Sequence, residues 1–491
     1  MTTMTVETLR NYINGEWRDS ASGTLLEDRN PAQPDQVVAR FQSSTPDDVA
    51  AAAEAAAAAL PAWRAMPPPK RGEILFKAAA LLEERADGVA RAMTLEEGKT
   101  FREARGETLR GASILRFFAG EAWQPSGDTY PSANPSTFLY TTRAPLGVVT
   151  AITPWNFPVA IPCWKIAPAL VYGNTVLLKP AELTPLTSYK IVQVLEDAGL
   201  PKGVLNLVLG KGSQIGDALV GHKHVAGVTF TGSNEVGRHV YNLAIDGHKK
   251  AQLELGGKNP IVVLDDADLE QAVTQTLNGA YLSTGQKCTA ASRVIVMRSV
   301  KDEFTERLLR RVQAITVGDG LDPQTYMGPL VSQGQKDTVL KYIKIGQDEG
   351  ARLLAGGHAL DDAGRHGGYF VEPTLFDDVT PTMRIAQEEI FGPVLALITV
   401  DSFEEAIDVA NGVQYGLSAS VFTRDAERAF RFVSASESGI VHVNSETAGA
   451  EPQVPFGGMK SSSSFSREQG KAAVEFFTQI KTVYFDMPPA R

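Results

Sequence analysis

The chain has 491 residues, 43% hydrophobic and 21% charged, an ordinary composition with length for two or three globular domains. A formal net charge of −10 and a pI near 5.4 leave no basic stripe to offset phosphate repulsion, which argues against nucleic-acid binding. No apolar run reaches the roughly 18 residues of a membrane span, and the opening MTTMTVETLRNYINGEW has no basic segment followed by an apolar core.

Cysteine usage points the same way. Cys163 and Cys288 are the two cysteines, and they form neither a disulfide framework nor a metal spacing. The seven histidines make no His-x-Glu or His-Glu-x-x-His arrangement. A cytoplasmic protein with no metal is expected.

In chain order, Thr45-Pro46-Asp47-Asp48 reads as a helix start, and the Ala-rich run 49–60 continues it. Apolar periodicity predicts further helices over 74–82 and 109–118, so 45–122 is mostly helical. Gly98-Lys99-Thr100 is not a P-loop, because Met93 stands where its first glycine belongs. Residues 123–145 turn to Pro, Ser, Thr and aromatics and predict an extended hairpin leaving the main body.

From 146 the pattern alternates. Strands are expected at 147–152, 175–179, 204–209, 225–230 and 251–255, with helices from about 159, 185, 213 and 234. Repeated units of this kind imply a parallel, doubly wound sheet with right-handed crossovers, whose ligands bind beyond the carboxyl ends of the strands. A second α/β alternation runs from 260 to about 456. The tail 476–485 reads as a strand whose partner is either the 137–142 hairpin or a neighbouring subunit.

Several turns sit at those strand ends. The Gly-x-Gly-x-x-Gly fingerprint is absent; Gly210-Lys211-Gly212 has its third glycine one residue late, at Gly216. Lys179 and Glu182 follow one strand and suit a ribose clamp as well as a plain surface pair. Gly232 and Ser233 precede a helix, where Ser233 serves as a cap, a pyrophosphate contact, or both. Glu389 and Phe391 offer a carboxylate and a ring for the other end of a dinucleotide.

Three residues carry the chemistry. Cys288 follows Gly285-Gln286-Lys287 and precedes small polar residues, unlike a core cysteine, and Lys287 is expected to favour its thiolate. Cys163, in an apolar segment, is expected to be inert. Glu254 interrupts an apolar strand just before Gly256-Gly257, which suits a general base of raised pKa. Asn156, in Pro154-Trp155-Asn156-Phe157-Pro158, is fixed by its turn and suits an oxyanion donor, or else holds the turn itself.

Together these segments strongly resemble the aldehyde dehydrogenase superfamily. The resemblance covers nearly the whole chain, through Pro154–Pro158, Lys179–Glu182, Phe230–Ser233, Glu254–Lys258, Gly285–Cys288, Glu388–Val394, Asn411–Ser418 and Pro455–Lys460. It implies an α/β fold in three parts. These are a doubly wound parallel-sheet cofactor domain of five strands (1–122 and 146–256), an α/β catalytic domain (257–456), and a small β bridging domain (123–145 and 470–491). It also implies a homo-oligomer, dimer or tetramer.

By the same resemblance Cys288 is the nucleophile, Glu254 the base, Asn156 an oxyanion donor, and Lys165 a lysine near the active centre. Ile152, Thr153, Pro154, Trp155, Lys179, Glu182, Gly212, Gly232, Ser233, Glu389 and Phe391 fall to the cofactor. Phe157, Trp164 and Phe456 fall to the aldehyde tunnel. NAD is expected, with NADP possible but disfavoured by Glu182, and the partner is a small aldehyde. Ser461–Ser466 departs from the common Ser-Gly pattern, and an effect on the bridge is expected there.

The serine run, Trp164-Lys165 and the segment before Cys288 look like bacterial 2-oxoglutarate semialdehyde (2,5-dioxopentanoate) dehydrogenases. Trp164 stands where succinate semialdehyde enzymes often place an arginine. A broad-specificity aliphatic or aromatic aldehyde dehydrogenase, a thiol-dependent esterase, and a non-enzymatic binding protein on the same fold are the competing readings.

Overall fold

A computed structural model describes residues 6–124, 126–361 and 365–486. Of the segments named above, residues 1–5, Pro125 and 487–491 lie outside the described residues. Four helices precede the alternating region: α1 (Pro46–Ala65), α2 (Pro68–Glu84), α3 (Ala86–Glu97) and α4 (Phe101–Glu121). The alanine run is a packing face, with Ala52, Ala53 and Ala56 fully buried against sheet residues such as Val148 and Leu177. Gly98-Lys99-Thr100 is a helix junction. Gly98, at φ 98°, closes α3, and Thr100 accepts from the Glu103 N–H to cap α4.

The first sheet runs Lys250–Glu254, Val225–Thr231, Val148–Ile152, Thr175–Lys179, Leu205–Leu207, Asn11–Ile13, Glu16–Arg18. Its first five strands are parallel. They are joined through α5 (Ala160–Val171), α6 (Pro185–Asp197), α7 (Gly212–Gly221) and α8 (Asn234–Asp246). The last two strands, beyond the five expected, form an antiparallel hairpin. Its turn is Asn14-Gly15 at φ 56° and 77°, the pairing that two-residue hairpin loops favour. The strand order reverses between Val148–Ile152 and Val225–Thr231, which opens the crevice where doubly wound sheets take their ligands.

A second seven-stranded sheet runs Arg352–Ala355, Thr374–Asp377, Val394–Val400, Ala291–Met297, Asn259–Val263, Ser418–Phe422, Ile440–Val443. It is parallel except at Arg352–Ala355. Helix α9 (Leu269–Tyr281) leads from it toward Cys288.

The third sheet is small. Thr478–Asp486 pairs antiparallel with Thr137–Pro145 along all nine residues, and Thr129–Tyr130 lies on the other side. The tail therefore pairs within its own chain. Phe476 and Phe477, expected in the strand, end a short helix and are buried beside α5. Among the described residues no helix is long and apolar enough to cross a membrane.

Candidate active site

Cys288 stands on a loop built from unusual backbone. Ser283, Thr284 and Gly285 have φ of 53°, 57° and 67°. That region is costly for a β-branched residue and is tolerated where surrounding contacts over-determine it. Those contacts exist. Glu103 accepts from the Ser283 N–H at 2.7 Å, and Gln286 Oε1 accepts from the Val331 N–H at 3.0 Å. A Cβ on Gly285 would fall 2.3 Å from the Gly392 carbonyl oxygen. Burial pushes the Cys288 thiol up to about 12, and the charges of Glu389 and Glu254 add to the rise.

Lys287 does not give Cys288 the expected support. Its Nζ donates to the Asn278 carbonyl at 3.2 Å and lies 3.7 Å from Glu446, because the loop turns the lysine back onto α9. Cys163 is fully buried on α5, and burial raises its thiol above the ordinary range.

Asn156 is brought to this loop from the turn after the central strand Val148–Ile152. Its Nδ2 donates to the Gln286 carbonyl at 3.0 Å, two residues before Cys288, and leaves the second amide hydrogen without a protein partner among the described residues. The turn is fixed from below. Lys99 Nζ donates to the Asn156 carbonyl at 2.6 Å and to Glu107 at 2.8 Å, and lies 4.4 Å from the centre of the Phe157 ring. The other Glu107 oxygen accepts from the Val159 and Ala160 N–H groups at 2.9 and 3.0 Å. Lys99 is thus a buried support for Asn156.

Glu254 ends the strand Lys250–Glu254 and is buried. One oxygen accepts from Ser463 Oγ at 2.6 Å; the other has no hydrogen-bond partner. Burial raises its pKa well above the carboxylate range, and the neighbouring charge of Glu468 raises it further. Ser463 itself accepts from the Gly458 N–H at 2.6 Å.

The serine run is therefore not part of the bridge. It lies along the edge of this strand, with the Leu255 N–H donating to the Ser462 carbonyl and the Ser464 N–H to the Leu253 carbonyl. Serine replaces the glycine pattern there because its side chains hydrogen-bond: Ser462 and Ser464 accept from the Gly416 and Leu253 N–H groups. Lys165 does not face the thiol. Its Nζ donates to Glu468 and to Thr229 at 2.8 Å, fully buried behind Glu254.

The dinucleotide residues gather at the crevice. The Gly212 N–H, first in α7, donates to Glu182 at 3.3 Å, and Lys179 Nζ lies 3.8 Å from where a Gly212 Cβ would be. Lys179 is lowered to about 8 by burial, an effect Glu182 opposes. Ser233 caps α8 by accepting from the Val236 N–H, and the Gly232 N–H donates to the Glu254 carbonyl. Ile152 ends the central strand, and the Thr153 N–H pairs with the Lys179 carbonyl. On the other side Glu389 accepts from the Gly257 N–H at 2.9 Å, and a Cβ on Gly256 would collide with it at 2.2 Å. After Pro154, Trp155 meets Phe391 edge-on at 5.3 Å.

A dinucleotide fits this cradle. Among the described residues, the Thr153 and Thr231 hydroxyls, at the ends of the two strands flanking the switch point, are buried with no partner, and Lys179 Nζ donates to the Pro180 carbonyl alone.

A cavity of about 280 Å³ reaches Cys288. Phe157, Trp164 and Phe456 line it, with Trp164 and Phe456 in contact at 5.2 Å between ring centres. Thiol, carboxylate and amide thus converge between a dinucleotide crevice and a substrate cavity. The sequence matches the model of the aldehyde dehydrogenase family over residues 17–483. The chain belongs to the aldehyde dehydrogenase family.

Its activity is NAD(P)-dependent aldehyde oxidation through a catalytic cysteine. It is 53% identical to the alpha-ketoglutaric semialdehyde dehydrogenase of Bacillus subtilis (strain 168), covering 97% of this chain and 98% of that one. It is 46% identical to the 2,5-dioxopentanoate dehydrogenase of Saccharolobus solfataricus, over 94% of this chain and 96% of that one. Among solved structures, betaine aldehyde dehydrogenase from Staphylococcus aureus in complex with NAD+ superposes with a TM-score of 0.95 at 38% identity, over 98% and 96% of the two chains.

Within this aldehyde dehydrogenase, four site residues escaped the sequence reading: Lys99, Glu107, Ser463 and Glu468. Lys99 lies in the discarded Gly98-Lys99-Thr100 segment and Glu107 in no motif, and both act through burial. A polar residue at 2% or 6% exposure looks in sequence like any helix-surface charge. Ser463 falls in the run noted above only as a departure from the Ser-Gly pattern, and Glu468 follows it without a motif of its own.

Proposed function

We propose that this aldehyde dehydrogenase oxidises 2-oxoglutarate semialdehyde to 2-oxoglutarate with NAD. The observation that carries the substrate is the agreement of three relatives, from one bacterium and two archaea, at 46–53% identity over nearly the whole chain. All three are named for this aldehyde. The test is NADH formation with a panel of aldehydes and both cofactors. The highest kcat/KM with 2-oxoglutarate semialdehyde and NAD supports the reading, and a preference for hexanal, benzaldehyde or betaine aldehyde sinks it.

In this mechanism the Cys288 sulfur adds to the aldehyde carbon. The oxyanion forms against the free amide hydrogen of Asn156 and the Cys288 backbone N–H. Bound NAD supplies the hydride acceptor. Loss of hydride leaves a thioester on Cys288. Glu254 takes a proton from water, whose oxygen attacks the thioester carbon; the carbon–sulfur bond breaks, and the acid leaves. Lys165, through Glu468, is a positioning residue behind Glu254. Lys179, Glu182, Gly212, Gly232 and Ser233 hold the adenosine and pyrophosphate side. Glu389, Phe391 and the turn from Ile152 to Trp155 hold the nicotinamide side. The Glu182 carboxylate repels a 2′-phosphate, so NAD is preferred over NADP.

Glu254 works only when ionised, and its pKa is raised in the fold, so kcat, which reads the hydrolysis step, rises with pH above the ordinary carboxylate range. The Ser463 hydroxyl opposes that rise by donating to the carboxylate. Ser463→Ala removes this donor, so the rising limb moves to higher pH. An unshifted limb in a pH–rate profile contradicts the role given to Ser463.

The small sheet is the proposed oligomer contact of a cytoplasmic homo-oligomer. Its outer strand leaves Ile480, Tyr484 and Phe485 exposed at 60%, 71% and 54%, an edge and an apolar patch that a lone subunit rarely keeps. Ile480→Asp combined with Tyr484→Asp is expected to lower the mass in light scattering toward that of one chain. An unchanged dimer or tetramer places the contact elsewhere.

A further inference from the structure

The substrate cavity carries charges that the steps above do not use. Three cations line it: Lys99, Lys287 and Arg110. Lys99 is held by Glu107 and the Asn156 carbonyl, and Lys287 by Asn278 and Glu446. Arg110, on α4, has no ion pair and no hydrogen bond among the described residues, and its Nε is buried without an acceptor. Glu107 and Glu451 are near enough to act on it electrostatically, but neither lies within ion-pair distance, and both Glu107 oxygens already accept from Lys99, Val159 and Ala160.

A second donor is orphaned in the same cavity: the Trp164 indole Nε1 is buried with no partner. Unpaired buried donors of this kind are costly, and a native site keeps them where a ligand supplies the acceptors.

The helix also makes room. Gly106 lies one turn before Arg110 on the same face and lines the cavity, and a Cβ there would meet nothing within 4 Å. An alanine would favour the helix and would clash with nothing. The glycine therefore serves the open volume beside Arg110.

We propose that Arg110 is the carboxylate anchor of this site, with the Trp164 indole as an added donor, so that the enzyme selects aldehydes bearing a carboxylate at the far end of the chain. The guanidinium fork takes the two carboxylate oxygens. The indole N–H suits an acceptor oxygen on the same molecule, as a 2-oxo acid provides. The aldehyde end then reaches Cys288 across the apolar faces of Phe157 and Phe456. This inference rests on the reading that an aldehyde enters this cavity and reacts at Cys288.

The test uses Arg110→Met, which keeps length and apolar bulk and removes charge and donors. The measured quantity is the ratio of kcat/KM for 2-oxoglutarate semialdehyde to that for hexanal. The ratio is expected to fall by about 100-fold, the loss expected for a charge-assisted pair, with the change mostly in KM for the oxo acid. Arg110→Lys, a point charge without the fork, is expected to lose about tenfold and serves if the methionine variant does not fold.

In parallel, glutarate should inhibit hexanal oxidation competitively in the wild type and lose at least about tenfold in inhibition in the variant. An unchanged ratio, or equal losses on both aldehydes with glutarate inhibition retained, overturns the anchor. A wild-type enzyme that prefers hexanal, yet is inhibited by glutarate through Arg110, defeats the substrate reading above and leaves the anchor standing.

Discussion

Cys288→Ala is expected to abolish aldehyde oxidation, lowering kcat/KM by on the order of 10⁴-fold or more, the scale seen when an enzyme loses its nucleophile. No other thiol replaces it. Cys163 is fully buried on α5 and faces the packing between α4 and α5, where its sulfur lies 3.3 Å from the Cβ position of Gly111. The loop after the strained backbone of Ser283–Gly285 brings Cys288, and not Cys163, to the cavity wall. The alanine variant should still quench its tryptophan fluorescence on NAD addition, since the crevice residues Lys179, Glu182 and Glu389 are untouched. Steady oxidation by Cys288→Ala within tenfold of the wild type removes the covalent route altogether.

Glu254→Gln is expected to separate the two halves of the reaction. Turnover falls by about 10²–10⁴-fold, the range for loss of a general base, while a burst of NADH equal to the number of active sites remains. The burst survives for an electrostatic reason: the Glu254 charge is one of the influences raising the Cys288 thiol, and a neutral amide lifts it. The second half fails because glutamine accepts no proton from water. Rapid-mixing absorbance of NADH reads both. A variant with full turnover, or one with no burst and no turnover, contradicts the division of roles between thiol and carboxylate.

How much of this was legible in the chain depends on the kind of signal. The five parallel strands and their helices announce themselves through apolar runs separated by turn residues, and the catalytic trio announces itself by breaking those runs. A carboxylate before two glycines, an amide between prolines and a cysteine among small polar residues all conflict with simple packing. The Asn14-Gly15 hairpin is a weaker signal, a two-residue turn between strands of only three residues each.

Other features were not local. Lys99 reads as one more charge between two helices, and only the fold brings it under Asn156, 57 positions away. Lys287 is adjacent to Cys288 in sequence, but its amine is held by the Asn278 carbonyl and Glu446. Ser463 contacts Glu254 across 209 positions. No spacing rule reaches that far. Arg110 carries no motif, and its meaning appears only when its Nε is found buried, unpaired and beside the thiol's cavity.

The most direct test of the central claim is the mass of the cysteine peptides from Glu254→Gln enzyme mixed with NAD and 2-oxoglutarate semialdehyde and quenched in acid within the burst. The expected result is the 2-oxoglutaryl group in thioester linkage on the peptide containing Cys288 and an unmodified Cys163 peptide. An NADH burst with Cys288 unmodified, or the acyl group on another residue, would contradict it.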